Sequence, residues 1–89
     1  MNVKIDKSFE KDILKIKDKK ILKRIANCIE NIQKVKSIEN ISGLKKLQGY
    51  GNEFRIRISD YRIGIIIDND IVIFIRCLHR KDIYKYFPK

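Results

Sequence analysis

The fold of this chain is decided by one stretch, Phe54-Arg55-Ile56-Arg57-Ile58-Ser59-Asp60-Tyr61-Arg62. Its apolar residues alternate with arginines, and this two-residue period predicts a β-strand with one buried face. The short polar pair Ser59-Asp60 predicts a tight turn, after which the returning strand covers residues 61–67. If that pair forms the whole loop, Ile58 pairs with Tyr61 and Arg57 lies opposite Arg62.

That register gathers positive charge on one side of the hairpin. Arg55, Arg57 and Arg62 share a face, and Arg55 and Arg57 lie about 7 Å apart along their strand. Like charges that face each other across two strands destabilise a sheet. Three arginines in this arrangement therefore indicate that the face meets an anion.

The whole chain is strongly basic. Its 89 residues carry 21 Lys and Arg against 11 Asp and Glu, which gives a net charge of +10. This length predicts a single domain over residues 1–89, and the 44% of hydrophobic residues is enough for a globular core. The charge predicts a polyanion or an acidic protein as partner, and a merely soluble basic domain is the alternative.

Nothing in the sequence points to a membrane, a metal ion or a cofactor. The longest apolar runs, near residues 65–67 and 71–75, are far shorter than the roughly 20 residues of a membrane-spanning helix. The first residues lack the apolar region of a signal peptide. Cys28 and Cys77 have no metal-ligand spacing, so we expect reduced cysteines in a cytoplasmic protein.

The rest of the chain predicts an α+β fold. Residues 2–6 alternate like a short strand, and Asp6 or Ser8 could cap the helix that follows. A second helix from about Lys19 to Val35, capped by Asp18, forms a hairpin with the first. We expect its apolar seam to pack on a twisted antiparallel sheet of about four strands, the alternative being a groove for a partner. The remaining elements are a short strand or turn at 44–49, the loop 49–52, a strand at 71–78 and a short C-terminal helix.

The side on which Arg76 lies depends on the turn before its strand. A two-residue turn, Asn69-Asp70, aligns Arg76 with Ile63 on the core face. A three-residue turn that includes Asp68 aligns it with Arg62 on the arginine face. The sequence leaves both registers open.

Four pieces of sequence, in order, resemble a known family: Leu47-Gln48-Gly49, Phe54-Arg55-Ile56-Arg57, Asp60-Tyr61-Arg62-Ile63-Gly64 and His79-Arg80-Lys81-Asp82-Ile83-Tyr84. Together with the element order they are similar to the RelE/ParE toxin superfamily, and most similar to its RelE branch. The resemblance covers essentially the whole chain. It implies the toxin of a type II toxin–antitoxin pair, which in the RelE branch cleaves mRNA at the ribosome without a metal.

The resemblance also assigns catalytic positions. Arg55 and Arg57 match positions where the family carries basic residues, often lysines, and Arg62 matches the arginine after the aromatic residue of the next strand. Arg80 matches the basic residue that enters the terminal helix. Tyr84 lies near the family's C-terminal tyrosine, which is thought to stack on a base or orient the nucleophile.

The chain departs from the family pattern at the general base. Some relatives have a lysine where this chain has Arg57, and a guanidinium, which keeps its proton, is a poor proton acceptor. The replacements are His79, Tyr84 and Glu53. Histidine is a common general base, which favours His79, but a structural hydrogen bond at a strand end is an equal alternative for it.

Four further cations are predicted to bind RNA or the ribosome: Lys45, Lys46, Arg76 and Lys81. The implied partners are a cognate acidic antitoxin, with which the toxin could form a heterotetramer, and the ribosome with its mRNA; no membrane partner is implied. Two alternatives share the fold: a ParE-like inhibitor of DNA gyrase that cleaves no RNA, and a weak member that mainly binds its antitoxin.

Overall fold

A computed structural model describes residues 1–49 and 51–88, and it has three helices and five strands in that part of the chain. In chain order the elements are β1 (Asn2–Ile5), α1 (Lys7–Leu14), α2 (Lys19–Lys34), a 3₁₀ turn (Ile38–Asn40), β2 (Leu44–Lys46), β3 (Glu53–Ile58), β4 (Tyr61–Asp68), β5 (Ile71–His79) and α3 (Ile83–Tyr86). The predicted loop 49–52 includes Tyr50, which lies outside the described residues. None of the described helices is long and apolar enough to cross a membrane.

The strands form one sheet in the order β1-β5-β4-β3-β2. The pairs β2–β3, β3–β4 and β4–β5 are antiparallel, whereas β1 runs parallel to β5. The prediction of an α+β fold is confirmed, but the sheet has five strands rather than about four and is not antiparallel throughout. The sequence left β2 open as a strand or a turn because three residues are too few to show a period.

The hairpin of β3 and β4 has the predicted register. Ile58 pairs with Tyr61 and Arg57 with Arg62, so Ser59-Asp60 is the whole loop. Ser59 has φ of 53°, which is the left-handed conformation that such a tight turn uses. The alternation therefore places Ile56 and Ile58 on one face and the arginines on the other.

The two helices cover the face that carries these isoleucines. Asp18 Oδ1 accepts from the backbone N–H of Lys20 at 2.9 Å and caps α2. Asp6 Oδ2 accepts from Ser8 N at 3.1 Å, so Asp6 rather than Ser8 caps α1. The ring of Phe9 meets that of Phe74 edge-on at 5.3 Å. The buried side chains of helices and sheet form one core: Phe9, Ile16, Ile21, Ile25, Ile32, Ile41, Ile56, Ile58, Ile63, Ile65, Val72, Phe74 and Cys77.

A β-bulge decides the register of β5. Asp68 pairs with Ile71, so the turn contains only Asn69 and Asp70. The pairing then shifts by one residue between Gly64 and Ile65, and Arg76 lies opposite Gly64 rather than opposite Ile63 or Arg62. Neither predicted register occurs, because both assumed an unbroken ladder.

Candidate active site

Two rows of cross-strand neighbours form the face of the sheet that is turned away from α1 and α2. Cross-strand partners share a face. One row runs through Lys45, Arg55, Gly64 and Arg76, and the next contains Arg57, Arg62 and Leu78. We call the side of the sheet that carries Arg55, Arg57 and Arg62 the arginine face.

Backbone carbonyl groups hold two of these arginines in place. Arg55 Nη1 donates to Gly43 O at 2.7 Å. Arg62 Nη1 donates to Ser59 O at 2.9 Å and to Tyr61 O at 3.0 Å, so the tight turn itself orients this guanidinium. Each fork keeps further N–H groups for a ligand, because a guanidinium has five donors.

The electrostatics of Arg62 identify its neighbours. The pKa of its guanidinium is lowered, first by partial burial and then by the positive charges of Arg55, Arg57 and Arg80, while Tyr84 opposes the shift. The structure therefore brings together four predicted arginines and the predicted tyrosine. Such a cluster of like charges is stabilised when an anion enters it.

No carboxylate neutralises this cluster within residues 1–49 and 51–88. The two salt bridges of that part of the chain join Arg76 to Asp12 and Lys85 to Asp82. Arg80 is exposed, and its backbone N–H donates to Asp60 O at 2.7 Å, which ties the start of the terminal segment to the β3–β4 turn. The cluster thus has two arginines held by backbone carbonyls and no salt bridge among the described residues, which suits it to a negatively charged group.

Arg76 lies on the same side of the sheet but is engaged elsewhere. Its Nε and Nη2 donate to the two carboxylate oxygens of Asp12 at 2.7 and 3.1 Å, and Asp12 also accepts from Cys77 N at 2.9 Å. The ring of Tyr86 lies 5.2 Å from the guanidinium carbon. Asp12 thus accepts a backbone hydrogen bond from β5 at a point where β1 has ended. The Arg76–Asp12 ion pair, with Tyr86 against it, therefore joins α1, β5 and α3.

Sequence reasoning missed Asp12, although a signal was present. Asp12 follows Phe9 by three residues and precedes Ile16 by four, so it lies on the apolar side of α1. It is 4% exposed. A carboxylate at such a position needs a buried cationic or N–H partner, and that partner is Arg76.

His79 does not join the cluster. It pairs with Tyr61, on the face that carries Ile58, and the two rings meet edge-on at 5.8 Å. Its Nδ1 accepts from the backbone N–H of Lys81 at 3.2 Å. This is the structural hydrogen bond at a strand end that was the alternative for His79.

Two predicted lysines lie on opposite faces. Lys45 pairs with Arg55 and belongs to the arginine face, whereas Lys46 pairs with Phe54 on the other side. Both are exposed, as is Lys81. Lys46 is therefore the same residue type on the same strand as Lys45, but it lies on the other face of the sheet. This makes it a control for substitutions of Lys45.

The C-terminal segment packs on the arginine face. Ile83 and Phe87 are buried, and Phe87 lies so close to Gly64 that a Cβ there would be 2.5 Å from its ring. Tyr84, by contrast, is exposed. Glu53 lines a small pocket under this segment, together with Arg76 and Phe87. Gly64 thus provides the close contact that holds Tyr84 beside the arginines.

Comparison with known proteins agrees with this architecture. The family model for the ParE toxin of type II toxin–antitoxin systems matches residues 3–84. The chain is 47% identical to Toxin RelE3 of Methanocaldococcus jannaschii over 89 residues, which is 99% of this chain and 100% of that protein.

Solved structures give the same result. The structure of the RelB–RelE antitoxin–toxin complex from Methanococcus jannaschii matches with a TM-score of 0.82 and 44% identity, over 96% of this chain and 99% of that one. The intact RelBE complex of E. coli matches with a TM-score of 0.68 at 16% identity, over 88% of this chain and 94% of that one, and this likeness concerns the fold alone.

Proposed function

The chain belongs to the RelE/ParE superfamily of toxins from type II toxin–antitoxin systems, and from that membership we propose that it is an endoribonuclease that cleaves mRNA on the ribosome. One observation carries the proposal: the positive charges of Arg55, Arg57 and Arg80 and the phenol of Tyr84 all act on the guanidinium of Arg62, and none of these arginines forms a salt bridge in the described part of the chain. The proposed place of action is the cytoplasm, where ribosomes and mRNA are.

The proposed reaction needs no metal ion. The 2′ oxygen of one nucleotide attacks the adjacent phosphorus, the bond from phosphorus to the 5′ oxygen breaks, and the products are a 2′,3′-cyclic phosphate and a free 5′-OH. One group accepts the 2′ proton and another donates a proton to the leaving oxygen. The phosphorane that forms between the attack of the 2′ oxygen and the loss of the 5′ oxygen carries extra negative charge, which preorganised cations stabilise.

The geometry supports different roles for the clustered residues. Arg55 and Arg62, held by backbone carbonyls, are suited to bind the non-bridging phosphate oxygens with their remaining N–H groups. Arg57 and Arg80 add to the field around Arg62. Tyr84 is the titratable neighbour of Arg62, whereas His79 faces the core side, so we assign the proton transfer or base contact to Tyr84.

The test is single-turnover cleavage of ribosome-bound mRNA, with ribosome affinity measured in parallel. Losing one preorganised donor to a developing oxyanion typically costs ~10²–10³ in rate, so Arg62→Ala and Arg80→Ala should lose that much without losing affinity to the same extent. Arg62→Lys keeps the charge but not the fork and should lose less. Lys45→Ala should weaken binding and flatten its salt dependence, while Lys46→Ala should do neither.

Equal losses from Lys45→Ala and Arg62→Ala, all of them in affinity, would leave a basic binding surface and no active site. The matching ParE family model favours one second function, inhibition of DNA gyrase without RNA cleavage. Primer extension on mRNA from cells that make the protein, beside a supercoiling assay with purified gyrase, separates the two. The RelE relatives at 47% and 44% identity favour the ribonuclease.

We also propose an acidic antitoxin as the inhibitory partner, and the helical hairpin provides a surface for it. An apolar groove of about 430 Å³ lies between α1 and α2. Of the side chains that line it, Leu14 is 83% exposed and Ile5 39%. The charged residue in the lining is Glu10, and next to lining residues in the sequence come the exposed lysines Lys11, Lys15 and Lys23. This pattern fits one occupant, an amphipathic antitoxin helix with an apolar stripe and acidic flanks.

The groove is tested by Leu14→Gln and Ala26→Gln, because both side chains are exposed and neither should affect folding. Burying an exposed leucine against a partner contributes ~1.5–3 kcal/mol, so the dissociation constant of the antitoxin should rise at least about tenfold. Asn31→Ala, an exposed position on the opposite side of α2, is the control. Unchanged antitoxin affinity together with altered self-association in sedimentation would assign the groove to a second copy of the chain.

A further inference from the structure

A second cleft, of about 530 Å³, lies where β3 extends past its neighbour. β2 pairs only with residues 54–56 of β3, so the end of β3 near Ile58 has β4 on one side and no strand on the other. α2 and residues 40–42 close the space from the other sides. Ligand sites in proteins commonly have this size and are built from apolar walls with a few polar groups.

The floor of the cleft is apolar and its walls carry amides. Ile32, Ile41, Ile56 and Ile58 are buried beneath it. Asn27 and Asn31 are one helical turn apart on α2, and Asn40 of the connecting segment belongs to the same lining. An amide offers a donor and an acceptor together, which is the pairing that the edge of a nucleic-acid base presents.

Cations stand at the ends of the cleft. Arg24, Asn27, Asn31 and Lys34 form one stripe of α2, with Arg24 and Lys34 about 15 Å apart along the helix axis. Neither takes part in the two salt bridges found among the described residues. The third cation of the lining is Arg57, which also belongs to the arginine face. The cleft is therefore continuous with that face around the edge of β3.

We propose that this cleft binds an unpaired nucleotide of RNA next to the segment that lies on the arginine face. The base rests on the isoleucine floor with its edge against the asparagine amides, and Arg24 and Lys34 bind the phosphates on either side. Sequence-specific RNA recognition mostly targets such unstacked bases. The inference rests on the proposed function and adds a subsite that selects which RNA is cut.

The alternative occupant is an acidic segment of a protein, and the lining favours RNA over it. A carboxylate accepts hydrogen bonds but donates none, so it could use the cations and the amide N–H groups but would leave the side-chain oxygens of the three asparagines without a donor. The molecule also carries a different surface for a protein helix, the lysine-flanked groove between α1 and α2, which has no amide side chain in its lining. Two surfaces of such different chemistry fit two different partners.

The first test compares codon preference. Asn27→Leu and Asn31→Leu replace a weak helix former by a strong one at exposed positions of α2, so the helix should stay folded. Each should slow single-turnover cleavage about tenfold at the codon cut fastest, because one or two hydrogen bonds to the base are lost. The differences in cleavage rate among codons should become smaller as well. Gln33→Leu, on α2 outside the cleft, should leave both unchanged.

The second test needs no cleavage. Ser42→Cys places a thiol in the lining of the cleft, and Ala26→Cys places one in the apolar groove. Both variants also carry Cys28→Ser, because Cys28 lines the same cleft, and the buried Cys77 should stay slow towards maleimide since burial raises the pKa of its thiol to about 12. mRNA-programmed ribosomes should protect the cysteine at position 42 several-fold more than the one at position 26, and the antitoxin should do the reverse.

Some results would overturn the assignment. Wild-type codon preference in both asparagine variants, with a cysteine at position 42 that RNA does not protect, would remove the subsite. Protection of that cysteine by the antitoxin and not by RNA would make the cleft a protein site. If the wild-type protein cleaves no RNA at all, the proposed function fails. Protection of the cysteine at position 42 from maleimide by RNA would still show whether the cleft binds RNA.

Discussion

At the scale of single residues, the arginine face places like charges where a sheet tolerates them least. Arg57 lies directly opposite Arg62, and Lys45 directly opposite Arg55. Such pairs destabilise an antiparallel ladder by tenths of a kcal/mol to about 1 kcal/mol. An anion that binds between them removes this cost, so the arrangement favours ligand binding over stability of the free protein.

This trade-off predicts a variant that is more stable and less active. Arg57→Thr removes one of the facing charges and introduces a good strand former, so the free energy of unfolding should rise by about 0.5–1 kcal/mol at low salt. The gain should shrink as salt screens the remaining charges. Denaturant unfolding at two ionic strengths measures it, and RNA cleavage by the same variant should fall.

Lys46→Thr is the matched control, because Phe54 rather than a cation lies opposite Lys46. It should show no salt-dependent gain. An Arg57→Thr variant that is no more stable than the wild type at low salt would mean that the facing arginines do not repel each other measurably.

At the scale of elements, the terminal segment depends on one glycine. Phe87 packs against Gly64, where a Cβ would meet its ring, and Tyr86 covers the guanidinium of Arg76. Arg76 in turn is held by its salt bridge to Asp12 of α1. These contacts hold α3, and with it Tyr84, against the arginine face.

Gly64→Ala should therefore displace the segment. Overpacking of this kind costs about 1–3 kcal/mol, and cleavage should fall as Tyr84 moves away from Arg62. In a Phe87→Ala background the same Gly64→Ala change should cost little, since the ring that the methyl group meets is gone. Unfolding free energies of the four proteins give the coupling directly. Additive losses would show that Phe87 and Gly64 are not in close contact.

At the scale of the whole molecule, net charge and exposed apolar surface should control different steps of antitoxin binding. The net charge of +10 is spread over the helices and the sheet, whereas the exposed apolar groove is confined to the hairpin. The charge should govern how fast an acidic antitoxin arrives, and the groove should govern how long it stays.

Stopped-flow association with the antitoxin tests this division. The association rate should fall about tenfold or more when ionic strength rises from roughly 0.05 to 0.5 M, because steering by charge is screened. Leu14→Gln should instead raise the dissociation rate and leave that salt dependence as it is. An association rate insensitive to salt would contradict the electrostatic part of the partner proposal.

Much of the site could be predicted from the sequence because it depends on neighbours along the chain. The alternation of residues 54–58 and the two-residue loop together determine that Arg55, Arg57 and Arg62 share a face. Asp18 caps α2 from the adjacent position, and the helical period marks the side of the hairpin that is buried. In each case the period or the turn acts over a few residues, so local sequence is enough.

Only the tertiary structure decided the features that join distant parts of the chain. The bulge at Gly64 and Ile65 places Arg76 where it binds Asp12, which lies 64 residues earlier in the chain. The parallel pairing of β1 with β5 likewise joins the two ends of the chain. The same register put His79 on the core side, and the packing of Phe87 on Gly64 brought Tyr84 to Arg62. A one-residue shift in a ladder reverses the face of every side chain beyond it, and no local pattern records such a shift.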